Sequence, residues 1–280
     1  MNTPAPPGRT RARGFRNLAL RWGLIYIGIV AVFSFLERAL VFRPSSPAES
    51  WYDPVEPDTS EFTFPSADGS TIHAWWVPPR DPGAGAVLVS HGNGGNLSHR
   101  GRIAAELRKS LSAGVLLYDY PGYGKSQGKP TEESCYAAGE AAYRRLTEEQ
   151  KIPANRIVLF GESLGGGPAV ELAVRHDHRA LVLMFPFTSL PAAAKYHYPF
   201  LPTGTLMRTR FDNLSKIGRC LRPVFIAHGT ADRVIPISQG EELFAAANPP
   251  KEFLRFEGAG HDMTMIQGMT GPLAKFLEGK

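Results

Sequence analysis

Apolar positions along this chain fall into three regimes. From Leu18 to Leu36 they form one long run, with Arg21 near its start and no charge between Trp22 and Leu36. From Ser60 to Val77 they alternate with polar residues on either side of the turn Ser66-Ala67-Asp68-Gly69, the pattern of a two-stranded hairpin. From Ala86 onward, short apolar runs alternate with stretches of helical period, which signals a parallel sheet with helical crossovers. Strands are expected at 86–90, 114–118, 157–160, 181–184, 224–227 and 253–256. Helices are expected at 97–112, 131–150, 164–175, 238–247 and 262–278, with Thr131 capping the second and Glu132 and Glu133 in its first turn. Residues 186–222 break the alternation with aromatics, prolines and basic residues, and read as a small lid.

The long apolar run is close to the roughly 20 residues that span a bilayer. Residues 1–16, rich in Pro, Arg and Gly, precede it and read as a disordered basic arm. A cleaved signal peptide has the same order of parts. No A-x-A site follows closely, however, and Ser46-Pro47-Ala48 lies too far beyond the apolar end. A buried amphipathic helix is disfavoured because the run is apolar all round. An uncleaved anchor over 17–42 fits best, with Arg21 snorkelling to the interface. Five arginines precede the apolar core, whereas the segment after Arg43 is acidic. The positive-inside rule then puts the N-terminus in the cytoplasm and the remainder across the membrane. Residues 43–59, with Pro44, Pro47, Pro54 and Pro57, read as a stiff linker lying against the domain or the membrane surface.

Charge sharpens this division. The 280 residues carry a net +5. Residues 1–43 hold seven arginines against Glu37 alone, a balance of +6, so the remainder carries −1. Basicity belongs to the N-terminal segment, and nucleic-acid binding has no electrostatic support in the domain. A hydrophobic content of 43% with 20% charged residues is that of a folded protein. Cys135 and Cys220 have no metal or redox spacing and read as small core or helix-surface residues.

The strand at 157–160 leads into Gly161-Glu162-Ser163-Leu164-Gly165, followed by a helix-like run. A serine on a sharp strand-to-helix turn with glycine on both sides has the context of a nucleophile elbow; the bland alternative is an ordinary turn. A serine nucleophile needs a histidine to take its proton and a carboxylate to orient that histidine. In strand–helix architectures these follow in the order Ser, Asp, His. Asp232 lies in the loop after the strand at 224–227, and His261 in the loop after the last strand. Each alone has a structural reading, as a turn aspartate or a helix-cap neighbour. Together with Ser163 they lie in post-strand loops at the carboxyl edge of the sheet, where open α/β sheets bind ligands. An oxyanion hole needs the amide after the nucleophile, Leu164, and one from an earlier post-strand loop. His91-Gly92-Asn93-Gly94-Gly95-Asn96 supplies that loop, with the Asn93 amide the best candidate. A phosphate-binding reading of this loop fails for want of a Walker lysine or a G-x-G-x-x-G spacing.

Other residues invite discounting. His176-Asp177-His178 looks metal-like, but a solvated turn on the far edge of the sheet is the plainer reading. His91 and His228 lie beside the candidate site and are expected to brace loops. Trp75-Trp76 is expected to pack the hairpin.

Four motifs resemble the alpha/beta-hydrolase superfamily: His91–Asn96, Asp119-Tyr120-Pro121-Gly122-Tyr123-Gly124-Lys125-Ser126, the Ser163 elbow, and Gly258-Ala259-Gly260-His261. They are similar to its membrane-tethered, small-lid branch, which includes fungal bud-emergence-type hydrolases, eukaryotic acyl-protein thioesterases and lysophospholipases, and bacterial serine aminopeptidase-like proteins. The resemblance covers about residues 38–280. Family members often carry arginine where Pro121 stands. The resemblance implies an α/β fold with a mostly parallel eight-stranded sheet, helices on both faces and a lid at about 187–222, the domain spanning 60–280 behind an N-terminal transmembrane helix. It implies Ser163, Asp232 and His261 as triad, Asn93 and Leu164 as oxyanion donors, and no cofactor or metal. The expected reaction is hydrolysis of a carboxylic ester or thioester on a lipid-like or acylated substrate near a membrane. Alternatives are an aminopeptidase-type peptidase and a non-catalytic membrane protein of the same fold.

Overall fold

A computed structural model describes residues 9–81 and 83–278. The first half of the expected basic arm and Pro82 of the loop after the hairpin lie outside the described residues. From Arg9 the chain is helical, so the second half of the stretch expected to be disordered is instead the start of α1 (Arg9–Val41). No proline lies within it, and its Arg and Ala residues are strong helix formers. At 33 residues, α1 is about 50 Å long. Its Phe15–Val41 portion is long and apolar enough, by length and composition, to cross a bilayer.

Eight strands form one sheet: β1 (Ser60–Pro65), β2 (Thr71–Val77), β3 (Ala86–Ser90), β4 (Gly114–Tyr118), β5 (Ile157–Glu162), β6 (Ala180–Met184), β7 (Val224–Gly229) and β8 (Lys251–Phe256). Their spatial order is β1-β2-β4-β3-β5-β6-β7-β8. Strand β2 runs antiparallel to both β1 and β4, and every other pair is parallel. Strands β3 to β7 are buried along their whole length, which requires cover on both faces. Alternate side chains go to opposite layers. Leu88 joins Leu116, Leu159 and Leu181 on one face, while Val87 and Val89 join Ile103, Phe225 and Ile266 on the other.

The crossovers are α2 (Gly101–Leu111), α3 (Glu132–Arg144), α4 (Gly166–Arg175) and α8 (Ile237–Ala246), with three short helices between β6 and β7, α5 (Leu190–His197), α6 (Thr203–Leu206) and α7 (Leu214–Ile217), and a closing helix α9 (Met265–Glu278) after the last strand. The Thr131 hydroxyl caps α3, accepting the Ser134 amide at 3.1 Å. Because β3, β5, β7 and β8 are parallel, the loops that follow them gather at one edge of the sheet.

The end of α1 is joined to that edge. Arg43 and Pro44 pair in parallel with Gly94 and Gly95, and Phe42 is buried against Phe211. Farther up the helix, the Tyr26 hydroxyl donates to the Phe200 carbonyl at 3.0 Å, and the Phe33 ring meets Tyr198 edge-on. The Glu37 carboxylate accepts the Arg208 and Thr209 amides. The segment after α1 is packed on the domain: Trp51 lies against Trp75 and His73, and Glu56 and Asp58 both pair with Arg108.

Candidate active site

Strand β5 ends at Glu162, and Ser163 then adopts φ +51°, a left-handed backbone that non-glycine residues seldom hold. The turn that enforces this is tight. A Cβ on Gly161 would stand 2.7 Å from the Gly165 carbonyl oxygen, and one on Gly165 would overlap the carbonyl of Ser90 in the neighbouring strand. Glycine on both sides therefore lets α4 start directly beneath the serine.

Ser163 Oγ lies 3.0 Å from His261 Nε2, and His261 Nδ1 lies 2.7 Å from Asp232 Oδ2. Asp232 follows β7, and its other oxygen accepts the Val234 and Ile235 amides at 2.8 and 2.9 Å. Burial works against the charge on this carboxylate. Hydrogen bonds from His228, His261 and the Ile235 amide outweigh it and hold Asp232 far below the usual carboxylate range. An ionised carboxylate only accepts, so Nδ1 of His261 carries the proton and Nε2 is left to accept from the serine hydroxyl. The His261 ring packs on Phe185 with centroids 4.2 Å apart, which fixes its plane. This arrangement can draw a proton from the serine and stabilise the resulting imidazolium.

The loop after β3 is held from several sides. The Gly92 amide donates to Glu162 at 3.0 Å, and the Tyr120 hydroxyl donates to the His91 carbonyl at 2.7 Å. Asn93 turns its side chain toward the end of α1. Its Oδ1 accepts from the Arg43 amide and the Tyr123 hydroxyl, and its Nδ2 donates to the Val41 carbonyl at 2.5 Å. Asn93, Leu164, Ser163 and His261 all line one cavity of about 750 Å³.

Three buried charged groups brace this loop, and sequence reasoning assigned a role to none of them. Arg100, at the head of α2, donates through Nε and a terminal nitrogen to Glu162 at 2.9 and 3.1 Å, and also to the Gly94 carbonyl. Both partners are buried. Burial opposes the charge on Glu162, but Arg100 and the Gly92 amide keep its carboxyl below the ordinary range. Asp119 is fully buried behind the loop, accepts the Leu97 amide at 2.7 Å and lies 3.3 Å from His91. Two of them stand in motifs that carry the family resemblance, Glu162 just before the elbow serine and Asp119 at the head of Asp119–Ser126, while no local pattern marks Arg100.

The two other histidine readings part ways. His228 is buried with Nε2 2.9 Å from the Ile235 carbonyl, under the Asp232 loop. The His176–His178 turn is not solvated as expected. His178 is 1% exposed with Nε2 3.6 Å from Cys220 Sγ, and His176 stacks on Tyr143 and pairs with Glu140 of α3. Among the described residues, no three His, Cys, Asp or Glu side chains gather as a metal site. Cys135 and Cys220 are buried free thiols.

The model of the alpha/beta hydrolase family matches residues 86–215, from β3 through the elbow into the three short helices. Human alpha/beta hydrolase domain-containing protein 17B is 34% identical over 225 residues, covering 80% of this chain and 77% of its own length. The chain belongs to the alpha/beta hydrolase family. An uncharacterized protein of Mycobacterium tuberculosis is 35% identical over 258 residues, 91% of this chain and 92% of that one. Among solved structures, an esterase of Pyrococcus furiosus superposes with a TM-score of 0.69 at 20% identity, over 85% of this chain and 98% of its own. A puromycin hydrolase superposes with a TM-score of 0.61 at 23% identity, over 81% and 39%. These two share the fold. As a member of the alpha/beta hydrolase family the protein is a hydrolase, with the sheet order and crossovers described above.

Proposed function

We propose that this hydrolase cleaves a carboxylic ester or thioester through an acyl-enzyme on Ser163, acting on a lipid-like or acylated substrate at a membrane. The observation that carries the reading is the unbroken line of hydrogen bonds from Ser163 through His261 to Asp232, at 3.0 and 2.7 Å. Ser163 Oγ attacks the carbonyl carbon while His261 Nε2 takes its proton and Asp232 stabilises the imidazolium. The negative charge that develops on the carbonyl oxygen is received by the amides of Leu164 and Asn93. The tetrahedral adduct collapses, and the alcohol or thiol leaves with the proton from His261. Water then enters, gives a proton to His261 and attacks the acyl-serine. Collapse of the second adduct releases the acid and returns the proton to Ser163. No cofactor enters these steps.

The reading assigns residues 17–42 as a membrane anchor, 43–59 as the connecting segment, 60–280 as the hydrolase domain and about 187–222 as its lid. Support for the anchor comes from the length and composition of α1 and from the exposed Leu20, Trp22, Ile27 and Phe35 along it. Arginines before its apolar core, and acidic residues after Arg43, favour a cytoplasmic N-terminus with the domain on the other side.

The full chain in detergent is expected to label with a fluorophosphonate probe, and Ser163→Ala to abolish labelling. Absence of labelling in the unsubstituted protein would favour a non-catalytic binding protein. A panel of p-nitrophenyl esters beside aminoacyl amides distinguishes esterase from peptidase; turnover of the amides alone would overturn the ester reading.

A further inference from the structure

A second pocket of about 130 Å³, between the C-terminal part of α1 and the lid, adjoins the cavity over Ser163. Leu40, Val41, Arg43, Ala194, Tyr198 and Met207 line both, so the two pockets adjoin along one shared wall. Beyond them the second pocket is walled by Phe33 and Ser34 on the helix and by Leu201 and Leu206 on the lid. Phe33 to Leu40 is eight residues of helix, about 10 Å of wall.

The chemistry of this wall selects among occupants. Its carboxylate, Glu37, is already taken by the Arg208 and Thr209 amides, and the Thr203 hydroxyl donates to the Pro191 carbonyl. A peptide laid here would leave buried backbone amides short of partners, at a cost an aliphatic chain does not incur. On the side of α1 turned away from this pocket Phe35 is 88% exposed, and on the lid Phe200 is 60% exposed. Such exposed aromatics suit the hydrocarbon and headgroup boundary of a bilayer rather than water.

We infer that α1 is more than a tether: with the lid, it forms the binding groove for the aliphatic acyl chain whose carbonyl is held at Ser163. The chain lies along the helix between Phe33 and Leu40 and enters from the bilayer side. This rests on the serine-hydrolase reading and adds to it the substrate class and the place where its chain is measured.

The test uses the full chain in detergent micelles, with p-nitrophenyl acetate and p-nitrophenyl dodecanoate compared by kcat/KM. Ser34→Trp and Leu206→Trp fill the groove from opposite walls, and neither residue belongs to the proposed catalytic machinery. Each is expected to lower the ratio of dodecanoate to acetate kcat/KM about tenfold or more. Retained acetate turnover also reports that the variant is folded, and Ser34 lies on an exposed helix face where substitution leaves the domain core intact. Unchanged dodecanoate turnover, or equal losses on both esters in both variants, overturns the groove. The underlying reading has a separate control: acetate hydrolysis that survives Ser163→Ala overturns the serine mechanism, whatever the tryptophan variants do.

Discussion

Arg100 and Glu162 form a buried ion pair, with Nε 2.9 Å from Oε2, directly behind the serine that follows Glu162 in sequence. The pair joins the elbow to the loop after β3, because Glu162 also takes the Gly92 amide and Arg100 also donates to the Gly94 carbonyl. Removing one partner strands the other charge away from water, which costs about 3–5 kcal/mol. Glu162→Gln is therefore expected to lower the urea midpoint at neutral pH and to reduce kcat more than it raises KM. An unchanged midpoint would show that the pair is dispensable.

The same carboxylate sets an acid limit. Glu162 and Asp119 both have folded pKa values below their ordinary 4.5 and 3.8. Between the ordinary and the folded value, the unfolded chain binds a proton that the folded chain does not, so stability rises with pH there. Their contribution is complete above the ordinary values and is lost as the pH falls through the folded ones. Thermal midpoints are expected to be insensitive to these groups above about pH 5 and to drop below about pH 4.5. In Glu162→Gln the acid drop should be shallower. A midpoint that holds steady to about pH 3 would contradict this.

Asp232→Asn tests the tautomer. A carboxamide can donate toward Nδ1 of His261, which moves the imidazole proton to Nε2 and leaves nothing to accept from Ser163. Turnover of a short ester is expected to fall by about 10⁴ in kcat with little change in fold or KM. A loss under about tenfold would mean that His261 does not act as the base.

The Asn93 side chain predicts a split between binding and turnover. It holds the end of α1 through Val41 and Arg43, while its backbone amide is the proposed second oxyanion donor. Removing an oxyanion donor outright costs about 10²–10³ in kcat. Asn93→Ala keeps the amide and removes only its support, so a smaller loss of about tenfold is expected, with KM nearly unchanged. A change confined to KM would assign Asn93 to substrate binding instead.

Much of this was legible in the chain. Each sheet strand is a short apolar run between turn residues, and the elbow glycines announce a turn in which any Cβ collides with backbone. Ser163, Asp232 and His261 could be picked out because each follows such a run. What stayed hidden depends on contacts between distant segments. Arg100 and Glu162 are 62 residues apart, and either alone reads as a solvated charge. His178 reads as exposed in the chain, but it is buried with Nε2 3.6 Å from Cys220 Sγ, 42 residues away. Asn93 gave no hint that α1 would claim its side chain. The short helices of 187–222 carry too few residues for a period, and the start of α1 at Arg9 was obscured by the prolines just before it.

The two-residue pairing of Arg43 and Pro44 with Gly94 and Gly95 leaves no free chain between the helix and the catalytic edge. On the proposed topology, Ser163 then works at one fixed height above the bilayer and cannot swing out to meet substrate in solution. Encounter with the proposed acylated substrate would then be a two-dimensional search, its turnover following surface density in that leaflet rather than bulk concentration.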